Sequence, residues 1–132
     1  MEDQELTRQI IGCAYAVYNE LGSGFLESVY QRSLLIELQK LGLSAQVESP
    51  VKVYYDEQIV GEFRADLIVR GRVIVELKAI EALTKAHEVQ VVNYLRATSI
   101  EIGLLLNFGQ TEVQVRRLTK TPPQQRSENR SR

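Results

Sequence analysis

Three charged side chains interrupt an apolar stretch in the middle of this 132-residue chain. Residues 65–79 read ADLIVRGRVIVELKA, two runs of mostly apolar residues joined by Arg-Gly-Arg. Asp66, Glu76 and Lys78 are the charged residues within these runs. Carboxylates hold divalent cations such as Mg²⁺, and a nearby lysine can bind phosphate or orient water, as metal-assisted phosphodiester cleavage requires.

The spacing predicts a β-hairpin whose register brings the two acids together. If residues 70–72 form a three-residue loop, Asp66 lies opposite Glu76, and Lys78 projects from the same face because side chains alternate along a strand. A two-residue loop would mix charged and apolar residues on both faces, so the pattern favours the longer loop. The other face then collects the apolar residues Phe63, Ala65, Leu67, Val69, Val73, Val75 and Leu77.

Two opposed acids need an explanation, because like charges directly across a strand pair repel each other. A divalent cation between Asp66 and Glu76, either Mg²⁺ or Mn²⁺, would remove that repulsion. A solvated sheet face is the alternative, in which Arg64 neutralises Asp66 and Lys78 neutralises Glu76. The hairpin alone does not decide between the two.

Two helical segments carry further candidates. In GFLESVY, Glu27 and Tyr30 are three residues apart and share a helix face. The alternative is a helix-start glutamate favoured by the helix dipole, with Tyr30 in the core. In HEVQVVNYL, the residues His87, Gln90 and Tyr94 form one polar stripe. We expect His87 to be exposed or to cap the helix, whereas Gln90, beside apolar neighbours, requires a polar partner.

The hairpin motif resembles that of a known superfamily. Asp66, nine intervening residues and Glu-Leu-Lys at 76–78 match the D-x(n)-E-x-K core of the PD-(D/E)XK nucleases. Ala65 stands where the superfamily name has proline. The resemblance extends over residues 5–118 and implies a central mixed β-sheet flanked by helices.

The helical motifs add to this resemblance. Gly24-x-x-Glu27-x-x-Tyr30, together with ADLIV, VIVELKA and LLNFG, resembles the small bacterial GxxExxY proteins, which are grouped in that superfamily. Gln90-x-x-x-Tyr94 resembles the downstream Q-x-x-x-Y helix of the exonuclease-like branch. Several spaced motifs in the same order are more specific than any one of them.

The resemblance implies roles for individual residues. Asp66 and Glu76 would be metal ligands, and Glu27 would reach the metal directly or through water. Lys78 would orient the attacking water or stabilise charge on the scissile phosphate, and nucleic acid would be the substrate. The residues that would steady the site or touch the substrate are Gln90, Tyr94 and Tyr30.

The hydrophobic pattern predicts one mixed α/β domain around these motifs. The predicted helices span residues 5–21, 25–41 and 85–98. Strands are predicted where the period changes to two, with Pro50 separating AQVES from VKVYYD and a turn at 56–57. IGLLLNF is predicted to be a buried strand and EVQVRRL an edge strand, which could pair with another chain and so leaves a homodimer open.

Composition limits the classes of function. With 44% apolar and 25% charged residues the chain is of globular type, and its net charge of −1 gives no overall attraction to nucleic acid or anionic membranes. Residues 1–120 are predicted to form the domain and 121–132, which lack apolar content, a disordered basic tail. Cys13 stands alone, and no apolar run approaches the roughly 20 residues of a membrane span. We therefore expect a cytoplasmic protein with a buried Cys13.

Three functions compete. A Mg²⁺- or Mn²⁺-dependent nuclease acting on DNA or RNA is favoured by the intact set of acids and lysine. A non-catalytic module that binds nucleic acid or protein is favoured by the weak overall charge. A purely structural domain is the third alternative.

Overall fold

Helical and alternating apolar patterns form three helices and five strands in the computed structural model, which describes residues 2–120. In chain order they are α1 (Glu2–Leu21), α2 (Glu27–Lys40), β1 (Ala45–Tyr55), β2 (Gln58–Val69), β3 (Val73–Lys78), α3 (Lys85–Arg96), β4 (Ile102–Phe108) and β5 (Val113–Thr119). The mixed α/β class predicted from the sequence is confirmed. The predicted tail at 121–132 lies outside the described residues.

The strands form one mixed sheet in the order β1-β2-β3-β4-β5. The strands β1, β2 and β3 are antiparallel neighbours, as tight turns between them require. β3 and β4 are parallel because α3 carries the chain back to the starting edge. β5 pairs antiparallel with β4 and lies at the edge, as EVQVRRL predicts, and β4 is the predicted buried strand.

The core lies on both faces of this sheet. The helices α1 and α2 cover one face, where Cys13 is buried as predicted. The helix α3 covers the other face with a smaller cluster of buried residues: Val51, Ala65, Ile68, Ile74, Tyr94 and Leu95. A Cβ atom at Gly103 would lie 2.6 Å from Val91 Cγ1, so this glycine lets α3 approach β4 closely. That approach fixes the position of the polar residues on α3.

The central hairpin has the predicted register. Val69 pairs with Val73 across the loop at 70–72, and Leu67 pairs with Val75. The left-handed conformations of Arg70 and Gly71 allow this tight loop. The odd loop length that the side-chain pattern favours is therefore confirmed.

The predicted apolar face of β2 is wrong in its first half. Leu67 and Val69 pack under α1 and α2, but Ala65 belongs to the cluster under α3, and the Phe63 ring contacts Tyr94 of that helix. The reason lies in β1, where Glu48 has a φ of 53° and the regular pairing with β2 skips this position. The distortion interrupts the alternation of side chains in β2 next to Asp66.

Pro50 does not separate two strands, contrary to the prediction. It lies within the continuous β1, paired with Arg64. A proline is tolerated there because β1 is an edge strand and one side of its backbone needs no partner. The predicted turn at 56–57 is confirmed, with both residues at positive φ.

None of the helices that the structure describes is long and apolar enough to cross a membrane.

Candidate active site

The two acids meet where the central hairpin stops pairing. Regular pairing of β2 with β3 ends at Leu67 and Val75, and beyond this point side chains replace the backbone pairing between these two strands. Glu76 Oε2 accepts a hydrogen bond from Asp66 N at 3.0 Å, and Asp66 Oδ2 accepts one from Leu77 N at 2.8 Å. The two carboxyl groups also affect the pKa of each other, so they lie close together. Each carboxylate thus binds a backbone amide of the opposite strand, and the two carboxyl groups lie next to each other.

Burial opposes the ionisation of this pair. Glu76 is only 5% exposed, so the solvated sheet face is the wrong interpretation for this acid. Burial and then the charge of Asp66 raise the pKa of Glu76 to about 8. Burial also raises the pKa of Asp66, and the charge of Glu48 adds to that increase. Without a cation, the pair therefore keeps a proton at neutral pH.

Lys78 ends β3 beside the two acids. Its positive charge lowers the pKa of both Asp66 and Glu76, which places its ammonium group within electrostatic range of them. Within residues 2–120, the ammonium group makes no hydrogen bond or ion pair. Arg64, which the solvated-face alternative pairs with Asp66, instead donates to Glu48 O at 3.1 Å. The structure thus brings Asp66, Glu76 and Lys78 together.

A cavity of about 260 Å³ borders Asp66 and contains two more acids, Glu27 and Glu48. Gln31 crosses it, because its Nε2 donates to Glu48 Oε2 at 2.9 Å and to Asp66 O at 3.0 Å. Sequence reasoning missed Glu48 and Gln31, since these residues come from β1 and α2 and only the packing of the two elements brings them to Asp66. Glu27 is exposed at the first turn of α2 and faces the same cavity.

The Gly24-x-x-Glu27-x-x-Tyr30 motif forms a loop and the start of a helix. Gly22 and Gly24 adopt positive φ, a conformation that glycine tolerates best. The buried Tyr30 donates its hydroxyl proton to Gly22 O at 2.6 Å and stacks on Phe108 at 4.3 Å between ring centroids. Tyr30 therefore holds the loop that precedes Glu27 and lies in the core, the alternative that the sequence had left open.

The polar stripe of α3 divides into two parts. His87 Nδ1 accepts a hydrogen bond from Thr84 N at 3.0 Å, so the predicted capping role of His87 is confirmed. Gln90 Nε2 donates to the Tyr94 hydroxyl at 3.2 Å, which is the polar partner that Gln90 requires. Burial and the charges of Glu76 and Asp66 raise the pKa of Tyr94, so this hydroxyl lies near the acid pair. Gln90 reaches the site through Tyr94.

The donor set suits a hard divalent cation held by two carboxylates. Magnesium is commonly bound by one or two carboxylates, with water and substrate phosphate as the remaining ligands. Burial and the charge of Asp66 raise the pKa of Glu76, and a bound cation would offset both effects and replace the proton. Among the described residues, no three or more His, Cys, Asp or Glu side chains are arranged to hold a metal. The structure therefore does not bring Glu27 into one cluster with Asp66 and Glu76.

A family model and a solved structure match this chain. A family model of the PD-(D/E)XK nuclease superfamily matches residues 4–118. Among solved structures, the crystal structure of SSO0001 is similar, with a TM-score of 0.58 and 20% sequence identity over 94% of this chain. The chain spans 63% of the length of that chain, and at this identity the similarity concerns the fold. No curated protein matches the chain significantly.

Proposed function

Because the chain belongs to the PD-(D/E)XK nuclease superfamily, we propose that it is a divalent-metal-dependent nuclease that hydrolyses phosphodiester bonds of DNA or RNA. Membership suggests a nuclease-type function and a nucleic acid substrate. The observation that carries the proposal is the pair formed by the buried Glu76 and the partly buried Asp66, beside Lys78. The finer assignment to the GxxExxY proteins stays a prediction, based on the motif that ends at Tyr30.

The proposed division of labour follows from the position of each residue. Asp66 and Glu76 would hold Mg²⁺ or Mn²⁺, which when bound polarises the phosphate and makes water more acidic. Glu27 faces the cavity beside Asp66 and would act on the ion through water. Lys78 would donate hydrogen bonds to a phosphate oxygen, where its charge stabilises the extra negative charge of the transition state.

The residues of α3 would act by positioning. Gln90 fixes the Tyr94 hydroxyl, and that hydroxyl lies near the acids. Gln90→Ala should therefore lower the cleavage rate more than the metal affinity, since groups beside a metal site orient its ligands.

A non-catalytic binding module is the second candidate. The hydrogen bonds from Asp66 N and Leu77 N give both acids a structural role in joining β2 to β3, independent of any chemistry. A module of this kind would keep the fold and bind an ion or a partner without cleaving nucleic acid. The two candidates differ in the role they give to Lys78.

Cleavage by the wild type beside Lys78→Ala tests the proposal. Labelled DNA and RNA are incubated with the purified protein and Mg²⁺ or Mn²⁺. We expect the wild type to cut at least one polymer and Lys78→Ala to lose at least about 100-fold in rate, as removal of one transition-state donor does. Metal binding, measured by calorimetry, should be largely retained. Absence of cleavage with either metal, or an equally active variant, would favour the binding module.

A further inference from the structure

A second cavity lies beside the acid pair. It is an open groove of about 700 Å³ between α3 and the arm of the β1–β2 hairpin that contains residues 53–63. Sites that bind small molecules usually have volumes of about 300–1,000 Å³. Tyr94 lines this groove and lies within electrostatic range of Asp66 and Glu76. Tyr94 therefore links the groove to the candidate active site, because it lines the groove and lies near the acid pair.

Aromatic rings are the main feature of the groove. Tyr54 and Phe63 line it and remain 59% and 47% exposed, so much of each ring is accessible to a ligand. The Phe63 ring lies 5.7 Å from that of Tyr94, between centroids. Exposed ring faces in a groove are the surfaces on which unpaired nucleobases stack in proteins that bind single strands.

Polar groups complete the lining. Gln90 and Asn93 contribute amides, which can hydrogen-bond to base edges, and Arg96 can bind a phosphate or stack on a base. Among the described residues, Arg96 is the only charged side chain that lines the groove, and no acid does. The groove thus combines rings, amides and one positive charge, although the hairpin arm and the acid pair nearby are acidic on balance.

We propose that this groove binds an unpaired nucleobase of single-stranded nucleic acid, beside the scissile phosphate. The inference rests on the nuclease function proposed above and specifies its substrate as unpaired DNA or RNA. In a duplex the ring faces of the bases are covered by their neighbours, so a stacking surface can be used only after a base is extruded. A single strand offers the same faces without that cost.

Binding is measured by fluorescence anisotropy in EDTA, which prevents metal-dependent cleavage. The probes are labelled single-stranded DNA and RNA, the matching duplexes, and an abasic strand with the same number of phosphates. We expect the single strand to bind at least tenfold more tightly than the duplex and the abasic strand. Tyr54→Ala should weaken single-strand binding by about tenfold, because it removes one stacking surface.

Tyr55→Ala is the matched control. Tyr55 is the next residue on β1 and is 76% exposed, but it does not line the groove. Tyr55→Ala should change the affinity for the single strand by less than twofold. Tyr54→Phe keeps the ring, so it should also change that affinity by less than twofold. Thermal melting of each variant verifies folding.

Three results would overturn the inference: equal binding of the abasic strand, equal effects of Tyr54→Ala and Tyr55→Ala, or a change of oligomeric mass on Tyr54→Ala, which would assign the groove to a second copy. Cleavage assays separate this inference from the proposed function. Single-strand binding that depends on Tyr54, without any cleavage, would support binding in the groove and refute the nuclease function. Duplex cleavage that does not change in Tyr54→Ala would support the nuclease function and refute binding in the groove.

Discussion

The Glu76 carboxyl group is buried against Asp66, and this location makes the stability of the metal-free protein depend on pH. In the unfolded chain Glu76 has its ordinary pKa of 4.5, whereas in the folded protein the pKa is about 8. Between these values the unfolded chain has released its proton and the folded protein still holds it. Rising pH therefore favours the unfolded state across this window.

We accordingly predict that the free energy of unfolding in EDTA falls between pH 5 and pH 8, by an amount on the order of a few kcal/mol. Glu76→Gln should remove most of this decrease and be more stable than the wild type at pH 8, because its amide resembles the protonated acid. Chemical denaturation of both proteins at several pH values measures the difference. A wild type that gains stability towards pH 8 relative to Glu76→Gln would contradict the pKa of this pair.

Exchange of the shared proton for a metal is the second consequence of the Asp66–Glu76 pair. Binding of Mg²⁺ or Mn²⁺ at pH 7 should release about one proton, since both carboxylates must ionise to hold the cation. Calorimetry in two buffers of different ionisation enthalpy counts that proton. Glu76→Gln should abolish binding, Glu27→Ala should weaken it, and Lys78→Ala should leave it largely intact. Binding without proton release would indicate that the cation sits elsewhere.

The loop between α1 and α2 positions Glu27, and Tyr30 holds that loop. Tyr30→Phe removes the hydrogen bond from the hydroxyl to Gly22 O and the longer one that the hydroxyl accepts from Phe25 N, and it should cost at least about 1 kcal/mol of stability. If the loop sets the position of Glu27, the same substitution should also lower the cleavage rate. In a Glu27→Ala background it should have no further effect on that rate, which a double-mutant cycle measures.

Tyr18 offers a matched control for this prediction. Its hydroxyl donates to Gly109 O at 2.7 Å, a similar bond to a different loop. Tyr18→Phe should therefore cost similar stability without any coupling to Glu27 in the rate of cleavage. Equal coupling for Tyr18 and Tyr30 would show that both act only through general stability.

The sequence predicted the strands wherever the local pattern was sufficient. The odd loop at 70–72 followed from keeping charged and apolar residues on separate faces, and the register of Asp66 with Glu76 followed from that loop. The predicted strand break at Pro50 was wrong because an edge strand tolerates proline, and which strand lies at the edge depends on the whole sheet. The local signal does not include that information.

The site was predictable only in part for the same reason. Asp66, Glu76 and Lys78 lie on one hairpin, so their proximity is written in local spacing. Glu48 and Gln31 come from β1 and α2, and only the packing of these elements brings them to Asp66. The groove beside the site is likewise made by two elements, the hairpin arm and α3, that are distant in sequence.

The charge of the molecule is unevenly distributed, which bears on how it would meet an anionic polymer. The whole chain has a net charge of −1, while residues 119–132 contain four basic residues against Glu128 alone. The preceding part is therefore acidic, and a net acidic surface repels nucleic acid at long range. The basic C-terminal residues are the part of the chain best suited to offset that repulsion.

A chain that ends at Lys120 tests this role. Lys120 is kept because its ammonium group donates to Thr98 O at 2.8 Å. The removed residues 121–132 contain Arg126, Arg130 and Arg132 but no large apolar side chain, so the melting temperature should change by no more than about 2 °C.

The affinity of the truncated chain for single-stranded nucleic acid should fall at low salt. The slope of log affinity against log salt should become shallower by roughly 1–2, since each phosphate contact contributes about 0.7. Anisotropy titrations from low to high salt measure that slope. Unfolding on truncation would show that the removed residues are part of the domain, and an unchanged slope would show that they do not contact the nucleic acid.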